Sequence, residues 1–238
     1  MSETRYSLTP NTYICQTAFH WVLLDIIQDR YFTLGKKEFG QLGPYIRGWL
    51  EYSGPGTVQA RTLDEFPVDL ANELLRAGTL TSESAFGKPM RRTALEPPTT
   101  CISALQEPMN VAAWVAFSLS FFRSAAKADR LLRRSHISQI VRSVSDRNAQ
   151  RGQHFDFRKA GRLIHAFTIL RPSYPRDYLC LFDSLALLEF LSAYRLFPTW
   201  VFGVSSDPFA AHCWVQQDGV ALNDTIERIS TYVPIMTV

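Results

Sequence analysis

The chain has 238 residues, of which 46% are hydrophobic and 20% charged, with a net charge of +3. That length can bury one or two ordinary cores. Its four cysteines, at positions 15, 101, 180 and 213, show no paired spacing and no CxxC pair, which argues against a zinc site and fits a reducing compartment.

From the N-terminus, Glu3 and Arg5 are followed by polar residues, so no secretory signal is predicted and a cytoplasmic protein is expected. His20 to Leu34 carries two apolar and aromatic runs around the polar turn Gln28-Asp29, the pattern of a hairpin. Lys37 to Leu50 follows with apolar residues at Phe39, Leu42, Tyr45, Ile46, Trp49 and Leu50, which predicts a helix. After the loop Ser53-Gly54-Pro55-Gly56, Asp64 to Ala77 repeats a helical period through Phe66, Val68, Leu70, Leu74 and Leu75, and Gly78 is placed to cap it. Strands followed by short helices in about eighty residues describe a small winged-helix-like domain. Residues 1–80 hold 7 Lys/Arg against 9 Asp/Glu, a net of −2. A surface built for phosphates carries the opposite sign, so no nucleic-acid partner is expected.

Thr81 to Cys101, with Pro89, Pro97 and Pro98, is the natural linker. We therefore expect an α+β protein with domains at 1–85 and 106–238, joined by 86–105. The longest apolar run, Val111 to Phe122, has 12 residues including Ser118 and Ser120. It is too short to span a bilayer, so no membrane partner is expected and a core helix is predicted there. Residues 123–162 then hold 11 Lys/Arg against 3 Asp/Glu, an excess of +8. Such a stretch is ordinarily a solvated helical face, or else a dock for an acidic partner.

The last quarter carries the chemistry. Leu179 to Leu191 is apolar almost all round, the signature of a buried helix, and Pro175 and Asp177 place its start near residue 177 or 178. Cys180 then falls in the first turn, where unpaired N–H groups and the positive dipole end favour a thiolate and could bind an oxyanion. His212 lies 32 residues on (212 − 180) and Asp224 another 12 (224 − 212), in two strands joined through Gln217-Asp218-Gly219. A two-residue Asp218-Gly219 turn would set His212 opposite Thr225. A three-residue loop pairs Val220 with Gln216 and sets Asp224 directly across from His212, with β-carbons roughly 5 Å apart. The second register makes an Asp–His pair without further assumption and is the expected one. Cys213, by strand parity, is expected to face away from the site, which argues against its sharing a metal with His212. No metal site is expected. Cys15 and Cys101 are expected to be passive, and His20, His136, His154 and His165 lack a partner in a suitable motif.

Cys180 heading a Leu/Ala-rich helix, then Trp200-Val201-Phe202-Gly203-Val204, Phe209 to Val215 and Leu222-Asn223-Asp224, resembles the transglutaminase-like leader peptidase of lasso peptide biosynthesis over roughly residues 105 to 238. Cys213 stands where that family would have a small residue such as Ala. The N-terminal order, Val22-Leu23-Leu24-Asp25, turn, Tyr31-Phe32-Thr33-Leu34, helix, helix, Ala77-Gly78-Thr79-Leu80, is similar to the precursor-recognition domain typified by the pyrroloquinoline-quinone chaperone. The resemblances imply a papain-like or transglutaminase-like cysteine peptidase with Cys180 as nucleophile, His212 as base and acid, and Asp224 as orienter. They imply a leader peptide added as an edge strand along Arg30 to Leu34, with Tyr31, Phe32, Thr33, Leu70 and Leu74 as contacts. The implied partners are the lasso precursor and an asparagine-synthetase-like lactam synthetase, which would supply the ATP step. This chain has no GxxxxGK[ST] loop and is expected to bind no cofactor itself. A transglutaminase-type acyl transferase and a non-catalytic leader-binding scaffold share the same features and stay open.

Overall fold

The computed structural model describes residues 5–53, 66–83, 85–102, 110–149 and 155–238. The chain divides into two compact units, one of residues 1–94 with 204–210 and 233–236, the other of 95–203, 211–232 and 237–238.

In the first unit, β1 (Ser7–Leu8) is followed by three strands rich in β-branched and aromatic residues, β2 (Thr12–Gln16), β3 (His20–Asp25) and β4 (Arg30–Gly35). They form an antiparallel sheet in the order β2-β3-β4, and Leu23 pairs with Ile14 on one side and Phe32 on the other. The hairpin expected over His20 to Leu34 is therefore present, and β2 adds a strand that its short alternation left unmarked. One face of β3, Trp21 and Leu23, packs into a core with Ile14, Phe39, Leu42, Trp49, Ala71 and Leu74.

The single helix expected over Lys37 to Leu50 is instead broken. Helix α1 (Lys36–Leu42) runs into a 3-10 turn at Gly43–Tyr45, and α2 (Trp49–Ser53) starts anew. Pro44 has no N–H to donate back along a helix and its ring clashes with the preceding turn. The break also folds Trp49 back over Gly43, where a β-carbon would come within 2.2 Å of the indole. That brings Trp49 to 5.4 Å from the Trp21 ring.

Helix α3 (Val68–Arg76) starts after Pro67, and the earlier part of the helix expected from Asp64 falls partly outside the described residues. It ends as Gly78 predicts. Gly78 has φ +73°, its N–H donates to Leu75 O, and Thr79 N–H donates to Leu74 O, the paired bonds of a Schellman cap. β5 (Leu80–Thr81) then pairs with β1.

The proline-rich stretch beyond it is held by hydrogen bonds. Leu8 and Lys88 exchange backbone bonds, and buried Met90 donates to Arg47 O. Farther on, Glu96 O accepts from Gln216 Nε2, and β6 (Thr100–Cys101) pairs parallel with a strand of the second unit.

That unit opens with α4 (Val111–Arg134), α5 (Ile137–Ala149) and α6 (Phe157–Leu170), followed by α7 (Cys180–Ala193). Helix α7 is buried on every face from Phe182 to Leu191 apart from its ends, as its uniform apolarity predicts. The small residues Ser124, Ala125 and Ala128 of α4 face inward beside Phe121. They fix that helix's rotation, so the helix expected over Val111 to Phe122 is present and packs on α7 through Phe121, but only one side of it is core. Val111, Val115, Leu119 and Phe122, one stripe at i, i+4, i+8 and i+11, are exposed, Val111 to 80% and Leu119 to 63%.

A buried carboxylate on α7, Glu189, takes Lys127 Nζ and Arg147 Nη1, each at 2.7 Å. Two cations of the basic stretch are thus structural, since a buried charge left unpaired would cost several kcal/mol. The sheet of this region has the order β10-β7-β8-β9-β6, from β7 (Thr199–Ser206), β8 (Phe209–Gln217), β9 (Val220–Ala221) and, after the short α8 (Ile226–Ile229), β10 (Val233–Thr237). No helix among the described residues is long and apolar enough to cross a membrane.

Candidate active site

Cys180 is the first residue of α7, two or three residues later than the sequence places the helix start, and still in the first turn. Leu179 is extended at the N-cap and supplies no side-chain cap, so the first-turn amides keep no side-chain competitor there. What aims this helix start is Arg171, whose role nothing in the local sequence announces. It is buried, and its Nη2 donates to Arg176 O at 3.0 Å and Asp177 O at 2.9 Å. Its Nε pairs with Asp183 on the first turn of α7, and its guanidinium lies over the rings of Tyr178 and Phe182. Arg171 therefore ties the loop entering the helix to the helix itself. Burial pushes the Asp183 carboxyl upward against this pairing.

His212 and Asp224 meet, but not through the expected register. Gln217 pairs with Val220 and Gln216 with Ala221, so the turn is Asp218-Gly219 alone, with φ +45° and +72°. Positive φ at both central positions is the type I′ turn that an Asp-Gly dipeptide favours. The three-residue loop is overturned, and a continued ladder would set Asp224 out of step with His212. The ladder does not continue. After Leu222, whose N–H donates to Val215 O, the side chain of Asn223 takes over and its Oδ1 accepts the Val215 N–H at 2.8 Å. The main chain is thereby released from the strand, and Asp224 turns back to place Oδ2 at 2.5 Å from His212 Nε2. Asp224 Oδ1 accepts from Thr225 N–H.

His212 is buried, packed on Trp214 and at 5.0 Å from the Tyr232 ring. Gly203 makes room for this stack, because a β-carbon there would stand 2.7 Å from the Trp214 ring and 3.1 Å from Tyr232. With Nε2–H given to Asp224, the second ring nitrogen is left for Cys180, to which the imidazole hydrogen bonds. Burial opposes the imidazolium, but the bonds to Asp224 and Cys180 outweigh it and His212 is raised above its ordinary range. Burial likewise opposes the Asp224 carboxylate, and the His212 bond outweighs it and holds the group below the usual value.

Cys213 does not face away from the site. Its Sγ lies 3.3 Å from Ser184 Oγ, which accepts from Trp200 Nε1 and donates to Cys180 O. It points toward α7, the helix that Cys180 heads, and the Ser184 hydroxyl stands between the two residues. Hydrogen bonds from Cys213 and then His212, with the imidazolium charge, outweigh burial and bring Cys180 down to about 4. The same bond to Cys180, with burial, pushes Cys213 well above its ordinary value. Near neutral pH Cys180 is a thiolate and Cys213 a thiol. A stabilised thiolate beside an imidazolium is a nucleophile with its proton donor in place.

The expected leader contacts are distributed differently. Tyr31 and Thr33 lie on one face of β4, and Phe32 lies with Leu34 on the other, where it packs against the core together with Leu70. Tyr31 meets the Phe209 ring at 5.5 Å. Leu74 is only 1% exposed, so it belongs to the core rather than to a groove surface. Among the described residues no group of three His, Cys, Asp or Glu side chains is arranged to hold a metal ion.

Residues 121–237 match the transglutaminase-like superfamily, and the match spans α7 and the sheet that carry Cys180, His212 and Asp224. That superfamily includes cysteine peptidases and acyltransferases, and its domains are often cysteine-dependent enzymes. No curated protein and no solved structure gives a match.

Proposed function

We propose that this protein is a cysteine peptidase that binds the leader of a ribosomally made lasso peptide precursor and cleaves it off. The observation that carries the reading is the line Cys180, His212, Asp224, in which the His212–Asp224 pair and Cys180 sit so that the thiol is drawn toward its thiolate and the imidazole toward its protonated form.

Cys180 attacks the scissile carbonyl carbon. The oxyanion is met by the Cys180 N–H and the helix start. His212 gives its proton to the departing amine, leaving a thioester on Cys180. It then takes a proton from water, whose oxygen attacks the thioester and expels the Cys180 thiolate, so that the leader leaves as a carboxylic acid that ionises to solvent and the thiolate–imidazolium pair is restored. Asp224 holds the ring orientation and favours the imidazolium throughout.

The core peptide emerges with a free amine, the group a lactam synthetase would join to a side-chain carboxylate with ATP. An asparagine-synthetase-like partner is therefore part of the proposal. Leader capture is assigned to the first unit, along β4, which lies at one end of the sheet β2-β3-β4. Tyr31, Phe32 and Thr33 would flank the added strand and Leu70 would line it, with Leu74 supporting from the core. A tethered recognition unit raises the effective concentration of the scissile junction.

The test is mass spectrometry of a neighbouring-gene precursor incubated with the protein, with and without the synthetase and ATP. A leader-sized fragment that disappears in Cys180→Ala, with leader binding kept, supports the peptidase. A cross-linked product with an added amine would make the chain an acyl transferase, and binding without any product would make it a scaffold.

A further inference from the structure

The chemistry above leaves one thiol of the site unused. Cys213 is 3% exposed and lies 3.3 Å from Ser184 Oγ, which itself donates to Cys180 O at 2.6 Å. Cys180 is partly exposed, so a small solute reaches it from solvent while Cys213 behind it is shielded. The pair thus has one accessible sulfur and one sheltered sulfur, joined through the Ser184 hydroxyl. An oxidant-sensing cysteine with a resolving neighbour has this arrangement.

We propose that Cys180 and Cys213 form a reversible disulfide when the protein meets a hydroperoxide. The Cys180 thiolate attacks one peroxide oxygen; the O–O bond breaks, hydroxide or alkoxide leaves and takes a proton, and Cys180 becomes a sulfenic acid. The Cys213 sulfur then attacks the Cys180 sulfur. The S–S bond forms, the S–O bond breaks, and the oxygen leaves as water with the Cys213 proton. Two thiols are oxidised by two electrons and the peroxide is reduced by two. An external thiol reverses the bond by exchange.

The low pKa of Cys180 supports the first step, since the thiolate is the reacting form. A resolving thiol one hydroxyl away favours closure over further oxidation to the sulfinic acid, which thiols cannot undo. The bridge would remove the nucleophile and the proton donor's partner together. Its chemistry does not depend on which acyl substrate the site takes, so it can fail or hold independently of the peptidase reading.

The test treats the full chain with a few equivalents of hydrogen peroxide, blocks free thiols with iodoacetamide, and reads intact mass and peptide maps. The expected result is a loss of about 2 Da, a Cys180–Cys213 bridged peptide, at least a tenfold drop in Cys180 alkylation, and full recovery with dithiothreitol. In Cys213→Ala and Cys213→Ser the same dose should instead add about 32 Da at Cys180, without recovery.

Cys101 is exposed and donates to Asp224 O at 3.5 Å, which makes it the rival resolving thiol. A bridge from Cys180 to Cys101, or irreversible oxidation of Cys180 in the unaltered protein with no bridge, would overturn the proposal. Mapping the unaltered chain decides the matter even if neither Cys213 variant folds.

Discussion

Cys15 and Cys180 are both free thiols, yet burial lifts the first to about 12 while its neighbours bring the second down to about 4. Cys15 sits mid-strand in β2 opposite Val22, where the ladder occupies the backbone and burial is what acts on the sulfur. Cys180 sits at a helix start, with an imidazolium and a second thiol donating to it. The comparison teaches that burial does not decide whether a thiol is inert. Donors aimed at the sulfur decide it, and a helix start and a facing strand can supply them where a strand interior cannot.

Alkylation should expose this difference most widely. At pH 6 the folded protein should react with iodoacetamide at Cys180 at least about a thousandfold faster than at Cys15, and in denaturant the two rates should converge. The Cys180 rate should stay nearly flat on acidification and fall only as the pH approaches about 4. Loss of reactivity below pH 8 would give Cys180 an ordinary thiol and remove the contrast.

Changing Asp224 to Asn should lower turnover by roughly 10²–10⁴-fold with the substrate concentration dependence little altered. It should also draw the alkaline limb of the pH profile to lower pH. The sign follows from His212, which is raised above its ordinary range by its bonds to Asp224 and Cys180. Its protonated form lasts to higher pH in the native protein, and losing the carboxylate shortens that range.

If Cys180 acts as proposed, replacing Arg171 by Met should cost about 10- to 100-fold in turnover, because a helix start displaced by even 1 Å misplaces the Cys180 sulfur. A positioning role predicts that the Cys180 alkylation profile shifts as well, whereas a purely structural role would lower the thermal midpoint alone. The smallest effect belongs to the other cysteine. Cys15→Ser puts a hydroxyl in a dry site and should cost about 1–3 kcal/mol of stability while leaving turnover of the folded protein unchanged. The native Cys15 is also a stability term with a sign. Its pKa is raised on folding, so its contribution is complete below the ordinary thiol pKa and is lost as pH climbs toward about 12. Urea midpoints measured between pH 7 and 10 should fall less steeply in Cys15→Ala.

Much of the site was legible where local chemistry governs it. The apolar run after Pro175 and Asp177 marks a buried helix with Cys180 in its first turn, and Asp218-Gly219 marks a turn between two strands. The residue pairing beyond the turn was not legible, because it depends on Asn223 replacing a ladder bond and releasing Asp224 from the strand. Strand parity likewise predicted an idle Cys213, since it describes one strand and says nothing of a helix start lying against it. Arg171 escaped notice for the same reason. Its carbonyl and carboxylate partners are brought together only by the closed loop. In the first unit, periodicity marked the apolar positions of Lys37 to Leu50, but the break at Gly43-Pro44 was decided by where Trp49 had to go. Along Val111 to Phe122 nearly every position is apolar, so the pattern held no information about which side faces in.

The all-round apolarity of α7 also sets an order of events during synthesis. His212 and Cys213 are made 32 and 33 residues after Cys180 (212 − 180 and 213 − 180). At typical translation rates of roughly 5–20 residues per second, that delay lasts about 2–6 s. Through this interval the nascent protein carries an apolar segment without its sheet and a thiol without its donors. Helices α4 and α6, both made earlier, are available to shelter it, and the Cys180 sulfur gains the neighbours that favour its thiolate only when the β8 strand arrives.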